Sequence, residues 1–137
     1  MKVFLISYLF FIYYLFNFFQ KEKTFKESIS DGKLIYEDFC VQCHLNNGEG
    51  IEKIYPPLNN SDYLLENIDK SIYSIKYGLK GEITVNGIKY DGVMISQGLE
   101  DTEIADVMNY ITNSWDNNLN IQITKKRVSE LKKWNLQ

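Results

Sequence analysis

The chain has 137 residues, 45% hydrophobic and 15% aromatic, with a formal net charge of −3. That length allows one small domain and little besides. Charge is segregated: residues 1–30 carry +2, residues 31–116 carry six Lys against fifteen Asp and Glu (net −9), and residues 117–137 carry +4. An acidic centre argues against nucleic acid as a partner, because phosphates demand a basic surface, and suits a partner with a basic docking face. The globular stretch from Ile29 to Asp116 is small enough to be marginal without support such as a metal or a large bound cofactor.

The chain opens on Val3 to Phe19, an apolar run broken only by Ser7 and Asn17, with Lys2 before it and Lys21, Lys23 and Lys26 after it. A secretory signal usually has a core of ~7–15 residues ending at a small-residue site. Here the run is longer, and the only Ala of the chain is Ala105. Seventeen residues just reach the ~17–25 of a spanning helix. Residues 1–20 therefore read as a signal anchor, with a cleaved signal peptide as the alternative, and residues 21–30 as a polar tether. No Cys follows closely enough for a lipoprotein anchor. The lysine count across the run, one before and three after, argues for the opposite orientation to export.

Asp31 to Phe39 reads as a short helix that delivers Cys40-Val41-Gln42-Cys43-His44. Asn46 to Pro57 is loop, with Asn-Asn-Gly-Glu-Gly as turn chemistry and Pro56-Pro57 enforcing extended backbone. Asp62 to Leu65 and Ile68 to Tyr77 read as short helices, the second stopping at Gly78. Ile83 to Tyr90 is a hairpin signal centred on Asn86-Gly87, which suits a two-residue turn with positive φ. Asp91 to Gly98 reads as loop. The clearest helix is Asp101 to Trp115, with Ile104, Val107, Met108, Ile111 and Trp115 on one face and Asp101 and Glu103 in its first turn, where the helix dipole favours negative charge. Residues 117–137 form a basic tail, with a helix expected from Val128 to Trp134.

Cys-x-x-Cys-His is the attachment signature of haem c. Two thiols three positions apart on one turn can each add to a vinyl group on one edge of the macrocycle, and the adjacent imidazole then faces the iron. A thiol–disulfide redox pair needs no His after it and usually accompanies a βαβ pattern. A zinc site needs four ligands, typically Cys and His, and this chain has two Cys and one His. With His44 used, the second axial position is either left open or filled by another ligand, for which no second His exists and Met is the remaining soft candidate. Met94 lies in the expected loop, whereas Met108 lies on the apolar face of a helix and reads as core.

From Asp31 to Trp115 the chain resembles a class I c-type cytochrome. Gly32-Lys33-Leu34-Ile35-Tyr36 resembles that family's first helix, and the resemblance implies that Gly32 and Tyr36 meet Tyr110 where the first and last helices cross. Pro56-Pro57-Leu58 resembles the family's Pro-Leu segment, in which a proline carbonyl orients the ligand His and the leucine packs on the haem. Met94 matches the ligand loop, although the usual Met-Pro is Met94-Ile95 here. Leu99 to Trp115 resembles the last helix, with Glu100 where a Ser or Thr cap is usual. The stretch from Gly81 to Trp115 is similar to a bacterial subgroup that serves quinoprotein dehydrogenases or terminal oxidases.

The resemblance implies an all-α cytochrome c fold of about four short helices around one haem, with one small β-hairpin, preceded by the N-terminal hydrophobic helix. The haem-binding domain is residues 31–116. It implies one haem c, held through two thioethers by Cys40 and Cys43, with His44 and Met94 on the iron and Pro57 and Leu58 against the group. The function expected is one-electron carriage rather than enzymatic turnover, because no acid–base or nucleophilic set is present. The partners expected are a dehydrogenase or terminal oxidase, at the outer (periplasmic) face of a cytoplasmic membrane, anchored by residues 3–19 or soluble after cleavage. The rival readings are a five-coordinate haem sensor or peroxidase-like protein, and a fixed cytochrome subunit of a larger complex.

Overall fold

The structure, a computed structural model, describes residues 2–18 and 23–132. In chain order it comprises α1 (Lys2–Phe18), α2 (Phe25–Phe39), α3 (Val41–His44), α4 (Asp62–Glu66), α5 (Ile68–Tyr77), β1 (Leu79–Val85), β2 (Ile88–Met94), α6 (Asp101–Ile111) and α7 (Lys125–Glu130).

Helix α1 has 17 residues, about 25 Å at 1.5 Å per residue, short of a hydrocarbon core of ~30 Å. No helix among the described residues is long and apolar enough to cross a membrane. The expected anchor also includes Phe19, which lies outside the described residues. Apolar side chains of α1, among them Phe10, Phe11 and Tyr14, are well exposed.

The first helix of the domain begins six residues before its expected start. Thr24 accepts from the Glu27 N–H at 3.2 Å and the Glu27 carboxylate accepts from the Thr24 N–H at 2.8 Å, a reciprocal cap that opens α2 at Phe25. The polar tether expected over residues 21–30 is therefore corrected: residues 25–30 are helical and Ser28 is buried. Their polar face is used. The Ser28 hydroxyl donates to Asp106 Oδ1 at 2.5 Å, Lys23 Nζ donates to Asp106 Oδ2 at 2.6 Å, and Asn109 Nδ2 donates to Ser28 Oγ at 2.8 Å. Buried polar groups need partners of this kind, and here they lock α2 onto α6.

The crossing of α2 and α6 is the organising contact. A Cβ on Gly32 would stand 2.0 Å from the Asp106 carbonyl oxygen and 2.9 Å from Tyr110 Cβ, so only glycine permits this approach. Beside it Tyr36 meets Tyr110 with ring centroids 5.5 Å apart. The expected meeting of Gly32, Tyr36 and Tyr110 is present.

Helix α6 opens with the Glu103 carboxylate accepting from the Glu100 N–H at 2.8 Å, so Glu103 reaches back where a Ser or Thr cap is absent. It ends at Ile111, four residues before its expected end. The Thr112 hydroxyl donates to the Met108 carbonyl at 2.7 Å and Asn113 Nδ2 donates to the Asn109 carbonyl at 2.9 Å, side-chain bonds that compete with continuing the helix. Trp115 takes a φ of 57° and turns back, edge-on to Tyr36 at 5.3 Å and to Tyr110 at 5.7 Å.

The hairpin is longer than its sequence signal. Its strands pair antiparallel from Val85↔Ile88 at the turn to Leu79↔Met94 at the open end, and Asn86 and Gly87 carry the positive φ values, 50° and 77°, that this turn requires. Met94 is thus the last residue of β2 rather than a loop residue.

The tail is packed on the domain. Ile123 and Val128 join the core with Ile104, Val107 and Met108. Asn109 donates to the Ile123 carbonyl at 2.8 Å and accepts from its N–H at 2.7 Å, and Arg127 pairs with Asp69 at 2.9 Å. The tail helix runs from Lys125 to Glu130, ahead of the expected span, because Thr124 caps it by accepting from the Arg127 N–H. Trp134 lies outside the described residues.

Candidate functional site

The site grows from one turn of chain. Helix α2 ends at Cys40, whose N–H still donates to the Tyr36 carbonyl, and α3 starts there. The joint places Cys40, Cys43 and His44 on a single turn, closed by the His44 N–H donating to the Cys40 carbonyl at 2.9 Å. The Tyr36 hydroxyl donates to the Leu45 carbonyl at 2.6 Å, fastening the turn to the α2–α6 crossing.

His44 is 9% exposed, and its Nδ1 lies 2.9 Å from the Pro56 carbonyl oxygen. A carbonyl only accepts, so Nδ1 carries the proton and Nε2 presents a lone pair. Burial, opposed by that carbonyl, holds the imidazole below its ordinary pKa, which keeps the lone pair free for a metal. The accepting carbonyl belongs to Pro56, while Pro57 serves as cavity wall. Asn117 steadies this loop: its Nδ2 donates to the Leu58 carbonyl at 2.8 Å and to the Ile111 carbonyl at 2.7 Å, and its Oδ1 accepts from the Asn60 N–H.

Two adjoining cavities, of about 70 and about 390 Å³, share His44, Pro56, Leu79, Ile83 and Met94 in their walls. Cys40, Pro57 and Leu58 line the smaller and Cys43 lines the larger. All six residues expected from the sequence thus line one or both of these adjoining cavities. Met108 is fully buried in the core and lines neither cavity. Contributions not anticipated from the sequence come from α5 (Ser71, Ser74, Ile75) and the inward side of β1 (Leu79, Ile83, Val85). Their spacings, i, i+3, i+4 on the helix and even steps on the strand, mark one face of each element.

The donor set discriminates among the rival chemistries. Burial, then the neighbouring Cys43, pushes the Cys40 thiol up to about 12, the opposite of the lowered pKa that makes a redox cysteine reactive. Among the described residues no group of three or more His, Cys, Asp and Glu gathers as a metal cage, so zinc has no ligand set. Two thiols and an imidazole on one turn, a soft sulfur across the same space, and apolar walls between them fit a flat macrocycle with a central metal.

The family model of cytochrome c matches residues 29–115. The chain belongs to the cytochrome c family. It is 42% identical over 93 residues to cytochrome c-552 of Thermus thermophilus, a match covering 63% of this chain and 69% of that protein. It is also 31% identical over 101 residues to the cytochrome c subunit of a quinone alcohol dehydrogenase of Gluconacetobacter polyoxogenes, with 71% of this chain covering 21% of the subunit, and 24% identical over 104 residues to the corresponding Gluconobacter oxydans subunit, with 74% covering 22%. This chain therefore spans about a fifth of those subunits. Family membership makes it an electron-transfer protein rather than an enzyme, carrying one covalently attached haem c. The cytochrome domain is mostly helical with a small two-stranded sheet, as expected.

Proposed function

We propose that Cys40 and Cys43 form the two thioethers to haem c, that His44 and Met94 are the axial ligands, and that the chain passes single electrons between partner redox proteins. The observation that carries this reading is the pair of adjoining cavities: residues from α3, the Pro56–Leu58 loop and the end of β2 line them, His44 and Met94 are in the walls of both, and His44 is already hydrogen-bonded to Pro56. When bound, the haem supplies a metal that takes up and gives back one electron, and a Met/His pair raises its potential. The chain's own residues hold the ligands, exclude water with apolar walls, and leave few groups that must move. His44 is fixed through Pro56, an outer contact that sets ring orientation and ligand basicity. Leu58 and Ile75 give the smaller cavity apolar wall.

Ile54 and Val93, both in the wall of the larger cavity, are 60% and 66% exposed, and Ile95 beside Met94 is 73% exposed. This apolar rim, set in an acidic domain, supports docking of a partner with a basic face. The second reading, a fixed subunit of a dehydrogenase or oxidase, is favoured by the likeness to dehydrogenase cytochrome subunits. Purified protein that runs as a monomer supports the carrier; co-purification with a dehydrogenase supports the subunit.

The exposed apolar residues of α1 support attachment of the domain to the outer face of a cytoplasmic membrane, with release by cleavage as the alternative. Fractionation and intact mass decide it: a membrane-bound chain retaining residues 3–19 supports the anchor, and a soluble chain starting between residues 20 and 31 overturns it. Absorption spectra of the ferric and ferrous protein, with and without carbon monoxide, test the ligation. A six-coordinate spectrum with a methionine–ferric iron band and no carbon monoxide adduct is expected. A five-coordinate iron that takes up carbon monoxide would instead identify a sensor or peroxidase-like protein.

A further inference from the structure

The last carbonyls of a helix have no partner inside it, and α5 gives two of its own to a segment far along the chain. Gly78 follows the helix with φ 85° and ψ 167°, a conformation essentially confined to glycine. Its N–H donates to the Ser74 carbonyl, but the chain then runs on into β1 instead of turning back over the carbonyls of Ile75 and Lys76. Residues just past Met94 take both. The Ser96 hydroxyl donates to the Lys76 carbonyl at 2.7 Å, and the Gln97 N–H donates to the Ile75 carbonyl at 3.3 Å. The approach is close: a Cβ on Gly78 would stand 2.8 Å from the Met94 carbonyl oxygen and 3.2 Å from the Ser96 nitrogen.

Met94 is therefore held from two directions, by its pairing with Leu79 at the open end of the hairpin and by the bonds that Ser96 and Gln97 make to α5. The receiving end of α5 is itself fixed, because Lys76 Nζ pairs with Asp101 at 2.7 Å and donates to the Val128 carbonyl at 2.9 Å. Ile95 adds no stiffness of its own, since it lacks the locked φ of a proline, and the end of a hairpin is where fraying begins. We propose that the Ser96 hydroxyl clasps the Met94 segment to α5, making Ser96 a positioning residue that keeps the Met94 sulfur on the haem iron. The proposal rests on Met94 being the axial ligand. A competing ligand reaches the iron only while the sulfur is away, so its apparent affinity scales with that open fraction. Loss of one net-favourable hydrogen bond is enough to raise the fraction several-fold.

The test compares the full-length, haem-loaded wild type with Ser96→Ala, Ser96→Thr, Met94→Ala and the Met94→Ala, Ser96→Ala double variant. Ser96 is exposed, so alanine there removes a donor without opening the core, and threonine keeps the donor. Imidazole added to the ferric protein competes with the Met94 sulfur, and visible spectra read its apparent affinity. Ser96→Ala is expected to bind imidazole several-fold more tightly than wild type, with Ser96→Thr close to wild type. Met94→Ala should bind it most tightly, and adding Ser96→Ala should change nothing further, because the hydroxyl acts only through Met94. A wild-type affinity in Ser96→Ala, beside a tight-binding Met94→Ala, overturns the clasp and leaves the ligand assignment standing. An equal gain from Ser96→Ala with and without Met94 also overturns it, since the change would then act on the cavity at large. If Met94→Ala binds imidazole no better than wild type, Met94 is not on the iron and the clasp falls with it.

Discussion

Two methionines of the domain sit in contrasting surroundings. Met94 shares its cavity with His44, whereas Met108 is packed among Ile104, Val107 and Ile111 at 0% exposure. Met94→Ala is expected to abolish the methionine–ferric iron band and admit carbon monoxide, while Met108→Ala keeps the band and loses about 2–5 kcal/mol of stability, the usual cost of such a core truncation. Visible spectra and denaturant titration of both variants read this directly. Loss of the band at Met108 alone would reverse the assignment. The Cys, His and Met candidates could be singled out in the residues, because few soft donors exist and the Cys-x-x-Cys-His spacing is chemically specific. Which proline orients His44 was not, since Pro56 and Pro57 are adjacent and only the folded loop decides whose carbonyl faces the ring. The α5 wall of the smaller cavity was not legible either: which face of that helix looks inward depends on its rotation about its axis.

At the scale of elements, the α2–α6 crossing does most to position the site. Gly32→Ala forces a Cβ onto the Asp106 carbonyl, and overpacking of this kind costs about 1–3 kcal/mol. The expected outcome is a lower denaturant midpoint with an unchanged methionine–iron band, because the proposed ligands His44 and Met94 lie on α3 and β2. The α6–tail contact hangs on Asn109, which is fully buried and bonded to Ser28 and to both backbone groups of Ile123. Asn109→Ala leaves both backbone groups of Ile123 unpaired, at about 1–3 kcal/mol for each buried group so orphaned, and should raise amide exchange at Ile123 ahead of the rest of the core. Equal exchange in both proteins would show that the tail is held by Val128 packing instead. Helix α5 and the Asn-Gly turn were readable because their stop and turn residues act locally. The early start of α2 was also written in the chain as Thr24-x-x-Glu27, but the polar composition around it reads equally as tether until Ser28 and Lys23 meet Asp106 across 78 and 83 positions of sequence. The last helix was over-extended because Trp115 continues the apolar period, whereas Thr112 and Asn113 turn the chain away.

Across the whole molecule, charge is less segregated in space than in sequence. The basic tail returns to the acidic domain, with Arg127 on Asp69 and Lys76 donating to the Val128 carbonyl while pairing with Asp101. The Arg127–Asp69 pair softens the −9 of residues 31–116 without cancelling it, since residues 117–137 carry only +4. Electron exchange with a small cationic oxidant is therefore expected to slow as salt rises, over the range in which the screening length shortens to ~8 Å. Arg127→Glu should steepen that dependence. A rate flat in salt would mean that the electron leaves through a neutral face, and the exposed Ile54, Val93 and Ile95 would then account for partner choice without a basic docking patch. The account's central claim is one haem bonded to the chain by Cys40 and Cys43, and intact mass after denaturation and acidified organic extraction tests it most directly. The expected result is a coloured polypeptide heavier by one haem, with the colour and added mass lost together in the Cys40→Ala, Cys43→Ala double variant. A colourless polypeptide of bare mass, with free haem in the organic phase, would contradict it.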